Sequence, residues 1–257
     1  MTDDQITTQQ NAVTVFNPNG QSRVVLVCEH ASCFIPPALD GLGLDDNARQ
    51  SHIAWDPGAL EVARRMAQRL DAKLVVSNVS RLVYDCNRPP SAHDAMPARS
   101  EAIEVPGNAA LTDAQRRNRT EKYYDPFRVC LRDVIAKTRD PVIATVHSFT
   151  PVFLGKPRSV EIGILHDTDA RLADAMTQMA AAHTRANVKV NVPYGPQDGV
   201  THTLKEHAIP ARHLNVMLEI RNDLIADSAQ QENMGNCLAG WLTDALTALN
   251  VSVGAQC

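Results

Sequence analysis

The segment VVLVCEHASCFIPP, residues 24–37, combines the two features from which the architecture of this chain can be predicted. Five β-forming residues, Val24–Cys28, are followed at once by Glu29 and His30, and then by small residues and two prolines. An apolar run of this length predicts a buried strand. The strand therefore ends on a carboxylate and an imidazole, a costly place for polar groups unless they have partners or a function.

A helix and a second strand follow the first strand. The segment WDPGALEVARRMAQRLDA (55–72) carries apolar residues at helical spacing. Asp56 and Pro57 have the residue types of an N-cap and a first helical position. Leu74–Val79 is again rich in β-formers, so residues 24–79 predict a β-α-β unit with parallel strands.

Strands and helices continue to alternate to the end of the chain. Helices are predicted at Thr112–Lys137 with an interruption at Pro126, at Asp169–Ala186 and at Gln230–Leu249, and strands at Val142–Val146, Val160–Leu165, Val188–Val192 and Leu214–Ile220. The pattern predicts one α/β domain over residues 21–257, with a mostly parallel sheet flanked by helices, after a polar N-terminal extension of residues 1–20. Residues 85–110, rich in proline, are a candidate lid or pocket wall.

Composition excludes several classes of protein. The net charge of the 257 residues is −4 with no basic run, which argues against nucleic-acid binding. No apolar segment has the length of a membrane helix, and the polar N-terminus lacks the pattern of a signal peptide. Six scattered cysteines without a CxxC pair indicate free thiols. We therefore expect a cytoplasmic protein with a small-molecule partner, and the oligomeric state stays open.

Polar residues lie at the ends of four of the predicted strands or shortly after them. Ligands of parallel sheets bind beyond the carboxyl ends of the strands, so these positions are the candidate site. The residues, in chain order, are Glu29 and His30, then Asp85, Asn87 and Arg88, then His147 and Ser148, and finally Glu219, Arg221 and Asn222.

These residue types suit metal-assisted hydrolysis. His30 and His147 with one carboxylate complete the two-histidine, one-carboxylate set of a catalytic zinc site. The carboxylate is either Glu29 or Asp56, and Asp56 is preferred because neighbouring residues of a strand point to opposite faces unless the chain turns. Glu219 is the candidate general base.

Cationic and amide side chains near these strand ends suit an acidic substrate. Arg88 is a candidate bidentate partner for a substrate carboxylate, Asn87 can donate beside it, and Arg221 is a second candidate anion holder. Four further residues are weaker candidates for contact with the substrate: Tyr194, Arg158, His202 and His207.

Seven motifs together resemble the N-formylglutamate amidohydrolase family, over about residues 22–246. They are CEHAS (28–32), HIAWDPGA (52–59), RLVYDCNRPP (81–90), HSF (147–149), VEIGIL (160–165), NVPY (191–194) and LEIRNDLI (218–225). That family is related to the zinc carboxypeptidase-like hydrolases, so the resemblance implies a mixed α/β sheet flanked by helices. It also implies that His30, Asp56 and His147 hold one Zn²⁺, that Glu219 is the base and that Asn87 and Arg88 bind the substrate carboxylate. The implied reaction converts N-formyl-L-glutamate and water into formate and glutamate, a late step of histidine degradation.

Two departures leave the substrate open. The subgroup of the histidine pathway carries PHSG and DVNR, where this chain has CEHAS and DCNR. One alternative is an amidohydrolase for another N-acyl amino acid or a small peptide. The other is a non-catalytic ligand-binding α/β domain, against which stands the joint presence of metal ligands, base and anion holder. Asp56 also has the plain interpretation of a helix cap.

Overall fold

The strand of the opening segment lies inside a seven-stranded mixed sheet in the computed structural model of the protein, which describes residues 12–254. The seven strands are β1 (Val13–Phe16), β2 (Val24–Cys28), β3 (Lys73–Ser77), β6 (Val142–Phe149), β9 (Ile162–Leu165), β10 (Val188–Val190) and β11 (Asn215–Arg221). Two small hairpins lie outside this sheet, one of β4 (Arg99–Ser100) with β5 (Ile103–Glu104) and one of β7 (Val152–Phe153) with β8 (Lys156–Pro157).

The sheet is parallel at its centre and antiparallel at two junctions. The strand order is β1-β3-β2-β6-β11-β9-β10. Strands β3, β2, β6 and β11 run parallel, whereas β1 is antiparallel to β3 and β9 is antiparallel to β11. The predicted parallel β-α-β unit and the predicted single α/β domain with a mixed, mostly parallel sheet are therefore confirmed. The carboxyl ends of β2, β6 and β11 meet at one edge.

Helices cover both faces of this sheet. They are α1 (Asp46–Gln50), α2 (Ala59–Leu70), α3 (Asp113–Arg119), α4 (Asp125–Ala136), α5 (Arg171–His183), α6 (His202–His207) and α7 (Ser228–Ala248). Helices α2, α5 and α7 pack on the face that includes Leu26, and α4 and α6 pack on the face that includes Val27. Burial on both faces explains why the central strands are continuous apolar runs. No helix within residues 12–254 is long and apolar enough to cross a membrane.

The interruption predicted at Pro126 takes the form of a π-helical turn. Residues 120–124 form this turn between α3 and α4, and Asp125 N–H donates to the carbonyl of Thr120. Proline has no N–H and its ring crowds the preceding turn of an α-helix, so a wider turn lets the chain remain helical.

Short elements are the main difference from the sequence prediction. Val13–Phe16, inside the predicted polar extension, forms an edge strand of the sheet, while residues 1–11 lie outside the described part of the chain. The loop 85–110 contains β4, β5 and two 3₁₀ turns. Two-residue strands are too short to produce a periodic pattern, and β1 is recognisable only through its pairing with β3.

Candidate active site

The turn after β2 places the neighbouring residues Glu29 and His30 at the carboxyl edge of the sheet. The strand ends at Cys28, and Glu29 and His30 lie in a turn rather than in extended chain. The carbonyl of His30 accepts a hydrogen bond from Asp56 N–H at 2.9 Å, which holds the segment before α2 against the end of β2. His147 lies in β6, directly opposite Glu219 of β11 in the parallel register. The edge of the sheet therefore assembles residues that are far apart in sequence.

Three side chains at this edge form a candidate metal centre. The Nδ1 atoms of His30 and His147 are 3.2 Å apart, and they lie 3.3 and 2.9 Å from Oδ2 of Asp56. The three side chains are at most 4% exposed. In tetrahedral zinc coordination the ligand atoms are roughly 3.3 Å apart. The donor set and its spacing therefore fit a zinc ion, and the three ligands predicted from sequence are brought together.

A carboxylate lies against the second nitrogen of each imidazole ring. His30 Nε2 is 2.7 Å from Oδ1 of Asp85, and His147 Nε2 is 3.1 Å from Oε2 of Glu29. Such carboxylates fix the orientation of a histidine ligand and make it more basic. Glu29, a candidate ligand in the sequence analysis, therefore lies beyond the ring of His147 and away from the metal-facing atoms. The turn at residues 29–30 is what allows Glu29 and His30 to approach this ring from different sides.

The predicted role of Asp56 as the N-cap of α2 is wrong. The N-cap is Gly58, with φ of +80°, and the helix begins at Ala59 without a side-chain cap. A Cβ atom at Gly58 would lie 2.5 Å from the carbonyl oxygen of Ile225, so the backbone passes too closely there for a larger residue. The carboxylate of Asp56 is thus free for the metal centre, and its Oδ2 accepts a hydrogen bond from Ser148 N–H at 3.2 Å.

Arg81 belongs to this centre, although the sequence analysis assigned it no role. Its guanidinium lies 3.4 Å from Oδ1 of Asp56 and 3.3 Å from Oδ2 of Asp85. Burial alone lowers the pKa of Arg81, but Asp85 and Asp56 outweigh that effect and raise it. The sequence signal for Arg81 is its position as the first residue of the motif RLVYDCNRPP, four residues after β3.

The charges of the centre are strongly coupled. Burial raises the pKa of Asp56 and of Asp85, yet the adjacent imidazoles outweigh it and both pKa values lie well below the usual range. Burial lowers the pKa of His147, but Glu29 and Asp56 raise it well above its usual value. The carboxylates of the centre are therefore ionised, as metal ligands and their orienting partners must be.

Glu219 behaves differently from these carboxylates. Burial raises its pKa to about 7, with His147 opposing the rise and Asp56 adding to it. Its Oε2 has no hydrogen-bond partner among the described residues. Gly163 lies opposite it on β9, where a Cβ would approach Glu219 Cβ to 3.2 Å and the carbonyl of Val192 to 2.4 Å. The lack of a side chain at Gly163 therefore leaves room for the side chain of Glu219.

Two adjoining cavities open beside the centre. The inner compartment, about 330 Å³, is lined by residues that include His30, His147 and Glu219. The outer compartment, about 250 Å³, is lined by residues that include Phe149 and Glu101. The residues that line both compartments are Asp56, Arg81, Arg88, Ser148, Phe153 and Tyr194.

Asn87, Arg88 and Tyr194, candidate substrate contacts from the sequence, line these cavities, and their contact with a substrate stays a prediction. Asn87 and Arg88 line the inner compartment but also hold the chain around residues 198–203. The Asn87 side chain donates to the Val200 carbonyl and accepts from Thr203 N–H. Arg88 pairs with Asp94 at 2.8 Å and donates to the Gly199 carbonyl at 3.1 Å.

Four other candidate residues line neither compartment: Arg158, Arg221, His202 and His207. Arg221 at the end of β11 pairs with Asp223 at 2.8 Å and Glu161 at 3.3 Å, which hold its guanidinium elsewhere. His202 bonds through Nε2 to the hydroxyl of Tyr124 at 2.7 Å, and His207 lies at the end of α6. Glu161 and Tyr124 lie far along the chain from their partners Arg221 and His202, so spacing in the sequence could not predict these two pairs.

Comparisons with known proteins agree with this fold. The gene product Atu2144 from Agrobacterium tumefaciens is 49% identical, with a TM-score of 0.92 over 94% of this chain and 97% of that one. N-formylglutamate amidohydrolase from Ralstonia eutropha JMP134 is 16% identical, with a TM-score of 0.54 over 93% of this chain and 97% of that one, a likeness of fold. No curated protein gave a significant match. The N-formylglutamate amidohydrolase family model matches residues 22–226, and the chain therefore belongs to this family of hydrolases.

Proposed function

We propose that this chain is a zinc-dependent amidohydrolase for N-acylated acidic amino acids, and that it converts N-formyl-L-glutamate into formate and L-glutamate. The observation that carries the proposal is the triangle of two imidazole nitrogens and one carboxylate oxygen, with sides of 2.9–3.3 Å, next to the raised pKa of Glu219. Membership in the family supports the reaction class.

His30, Asp56 and His147 would hold the ion. When bound, zinc supplies Lewis acidity, which activates water as a nucleophile and polarises the amide carbonyl. Asp85 and Glu29 keep the imidazoles of His30 and His147 oriented through their Nε2 atoms. The deep burial of this set excludes bulk water, which strengthens every charge interaction within it.

Glu219 would move the proton. A carboxylate with a pKa near 7 is about half ionised at neutral pH, which suits a group that first accepts and then returns a proton. Its unpartnered Oε2 is available to take the proton of the attacking water. The same proton then passes to the amide nitrogen, which leaves as the amine when the carbon–nitrogen bond breaks.

Asn87 and Arg88 are proposed contacts for one substrate carboxylate. The Nη2 atom of Arg88 has only a long contact, 3.5 Å, to the carbonyl of Asp198, so it retains capacity for a ligand oxygen. The other nitrogens of Arg88 are engaged with Asp94 and with backbone carbonyls. One carboxylate oxygen at Nη2 is therefore the contact this arrangement supports.

Zinc content and formate release test this proposal together. We expect one zinc per chain and chelator-sensitive release of formate from N-formyl-L-glutamate, restored by added zinc. His147→Ala should lose both, whereas His213→Ala should keep both, because His213 lies just before β11 at the opposite end of that strand from Glu219.

The other outcomes separate the alternatives. Zinc without formate release, together with hydrolysis of another N-acyl amino acid, would move the assignment to a different substrate. Absence of turnover on N-formyl-L-glutamate and on N-formyl and N-acetyl derivatives of other amino acids, after zinc has been added, would contradict the enzyme assignment and favour a ligand-binding domain.

A further inference from the structure

An N-acylated acidic amino acid carries two carboxylates, but the residues assigned so far supply a contact for only one. Arg221, the second anion holder predicted from sequence, already pairs with two carboxylates, those of Glu161 and Asp223. We propose that Arg158 binds the side-chain carboxylate of the substrate and thereby sets the preference for acidic over neutral amino acids. The inference rests on the proposed function and names a residue that selects the substrate.

The guanidinium of Arg158 packs against residues that form the wall of the outer compartment. It stacks over Phe153 at 4.5 Å, Tyr194 at 4.9 Å and Phe149 at 5.5 Å from the ring centroids, and Nη1 donates to the carbonyl of Thr150 at 3.4 Å. All four of these residues line the outer compartment, and Phe153 and Tyr194 also line the inner one. A substrate whose amide lies at the metal centre therefore extends toward Arg158 past these two rings.

Arg158 is also the guanidinium at this site without an anionic partner. The arginines that line the outer compartment all have such partners: Arg81 contacts Asp56 and Asp85, Arg88 pairs with Asp94, and Arg99 lies 3.5 Å from Glu104 on the surface. No carboxylate of residues 12–254 forms an ion pair with Arg158. Its cation meets ring faces, which attract it. Hydrogen bonds to the Thr150 carbonyl and to Tyr194 engage only part of its five N–H donors, so others remain for a ligand.

The neighbouring carboxylate of Glu101 does not compete for this cation. Its Oε1 accepts from Leu154 N–H and its Oε2 lies against His52 Nε2, both at 2.8 Å. The position of Arg158 is also supported, since its N–H donates to the Pro151 carbonyl at 2.8 Å and its own carbonyl accepts from Arg221 at 3.1 Å. A fixed, half-buried and unpaired guanidinium is suited to a planar carboxylate.

A pair of substrates that differ only in charge tests this inference. N-formyl-L-glutamate and N-formyl-L-glutamine have the same shape, and only the first has a side-chain carboxylate. In Arg158→Gln we expect KM for N-formylglutamate to rise about 10- to 100-fold, the usual effect of losing a charge-assisted hydrogen bond, with little change for N-formylglutamine. Arg158→Lys should fall between, because it keeps the charge and loses the planar fork.

The matched control is Arg64→Gln. Arg64 also stacks on an aromatic ring, Phe16 at 4.9 Å, but lies on α2 away from both compartments. It should leave both KM values unchanged. Equal losses for the two substrates in Arg158→Gln, or no loss for either, would overturn the inference. If Arg158→Gln does not fold, Arg158→Lys decides by the same comparison.

Calorimetric binding of L-glutamate and L-glutamine separates this inference from the proposed function. Tighter binding of glutamate that Arg158→Gln abolishes, without hydrolysis by the unsubstituted protein, would refute the proposed function and leave the role of Arg158 standing. If the protein hydrolyses N-formylglutamate and Arg158→Gln leaves the KM unchanged, the role of Arg158 is refuted and the proposed function stands.

Discussion

Two buried glutamates near His147 lie in opposite electrostatic environments. Glu29, on the side of the centre away from the two compartments (the closed side), lies 3.1 Å from Nε2 of His147, whereas Glu219 lines the inner compartment, opposite His147 on the neighbouring strand. Burial raises the pKa of both. At Glu29 the charge of the adjacent His147 outweighs burial and lowers the pKa, while at Glu219 burial prevails and the pKa is about 7.

The difference shows how one sheet edge supports two tasks. A carboxylate paired with an imidazole stays ionised and holds that imidazole in place. A carboxylate that is buried without such pairing exchanges its proton near neutral pH. Partners rather than residue type therefore divide the glutamates between supporting the metal and moving a proton. Three variants test this division.

Glu219→Gln should give the largest effect. We expect kcat to fall by a factor on the order of 10²–10⁴, since an amide cannot take up the proton of the attacking water. Zinc content should stay at that of the unsubstituted protein because Glu219 is not one of the three ligands. Formate release and metal analysis of the same sample measure both. Glu206→Gln is the matched control, as Glu206 pairs with Arg128 outside the site. A kcat within threefold of the unsubstituted protein would refute the role of Glu219.

Glu29→Gln should act on the metal instead. We expect zinc affinity to weaken about 10- to 100-fold, because a neutral amide supports the imidazole of His147 less well than a carboxylate. With zinc in excess, kcat should recover much more than in Glu219→Gln. Competition with a chromophoric chelator measures the affinity.

Asp85→Asn is the companion to Glu29→Gln, since Asp85 contacts His30 in the same way. We expect a similar loss of zinc affinity. If both variants bound zinc as tightly as the unsubstituted protein, the supporting role of the closed side would be disproved.

His207 should give the smallest effect, on stability at low pH. Burial lowers its pKa from 6.5 to about 4, so the unfolded chain binds the proton more tightly than the folded one. The stabilisation is therefore complete above pH 6.5 and is lost as the pH falls toward 4. We expect His207→Gln to flatten this decline by about 1–3 kcal/mol. Urea unfolding of chelator-treated protein between pH 4 and 7 measures it, and parallel curves for the two proteins would contradict it.

Local pattern was enough to predict much of the fold. The bounds of β2 were predicted to the residue, and the parallel pairing of β2 with β3 followed from the helix between them. Burial of a strand on both faces requires a continuous apolar run, and a polar residue at its end is visible in the same run. For this reason His30 and His147 were recognisable as candidates, while the resemblance supported Asp56.

Contacts between residues far apart in sequence could be identified only in the folded structure. Four contacts of the site join segments that are far apart in sequence. They are the contact of Glu29 with His147, that of Asp56 with His147, the ion pair of Arg221 with Glu161 and the packing of Arg158 on Tyr194. Residue types and spacing decide which elements form, because burial and backbone geometry act locally. Which atoms meet depends on strand register and loop path, and these are set only when the whole sheet packs.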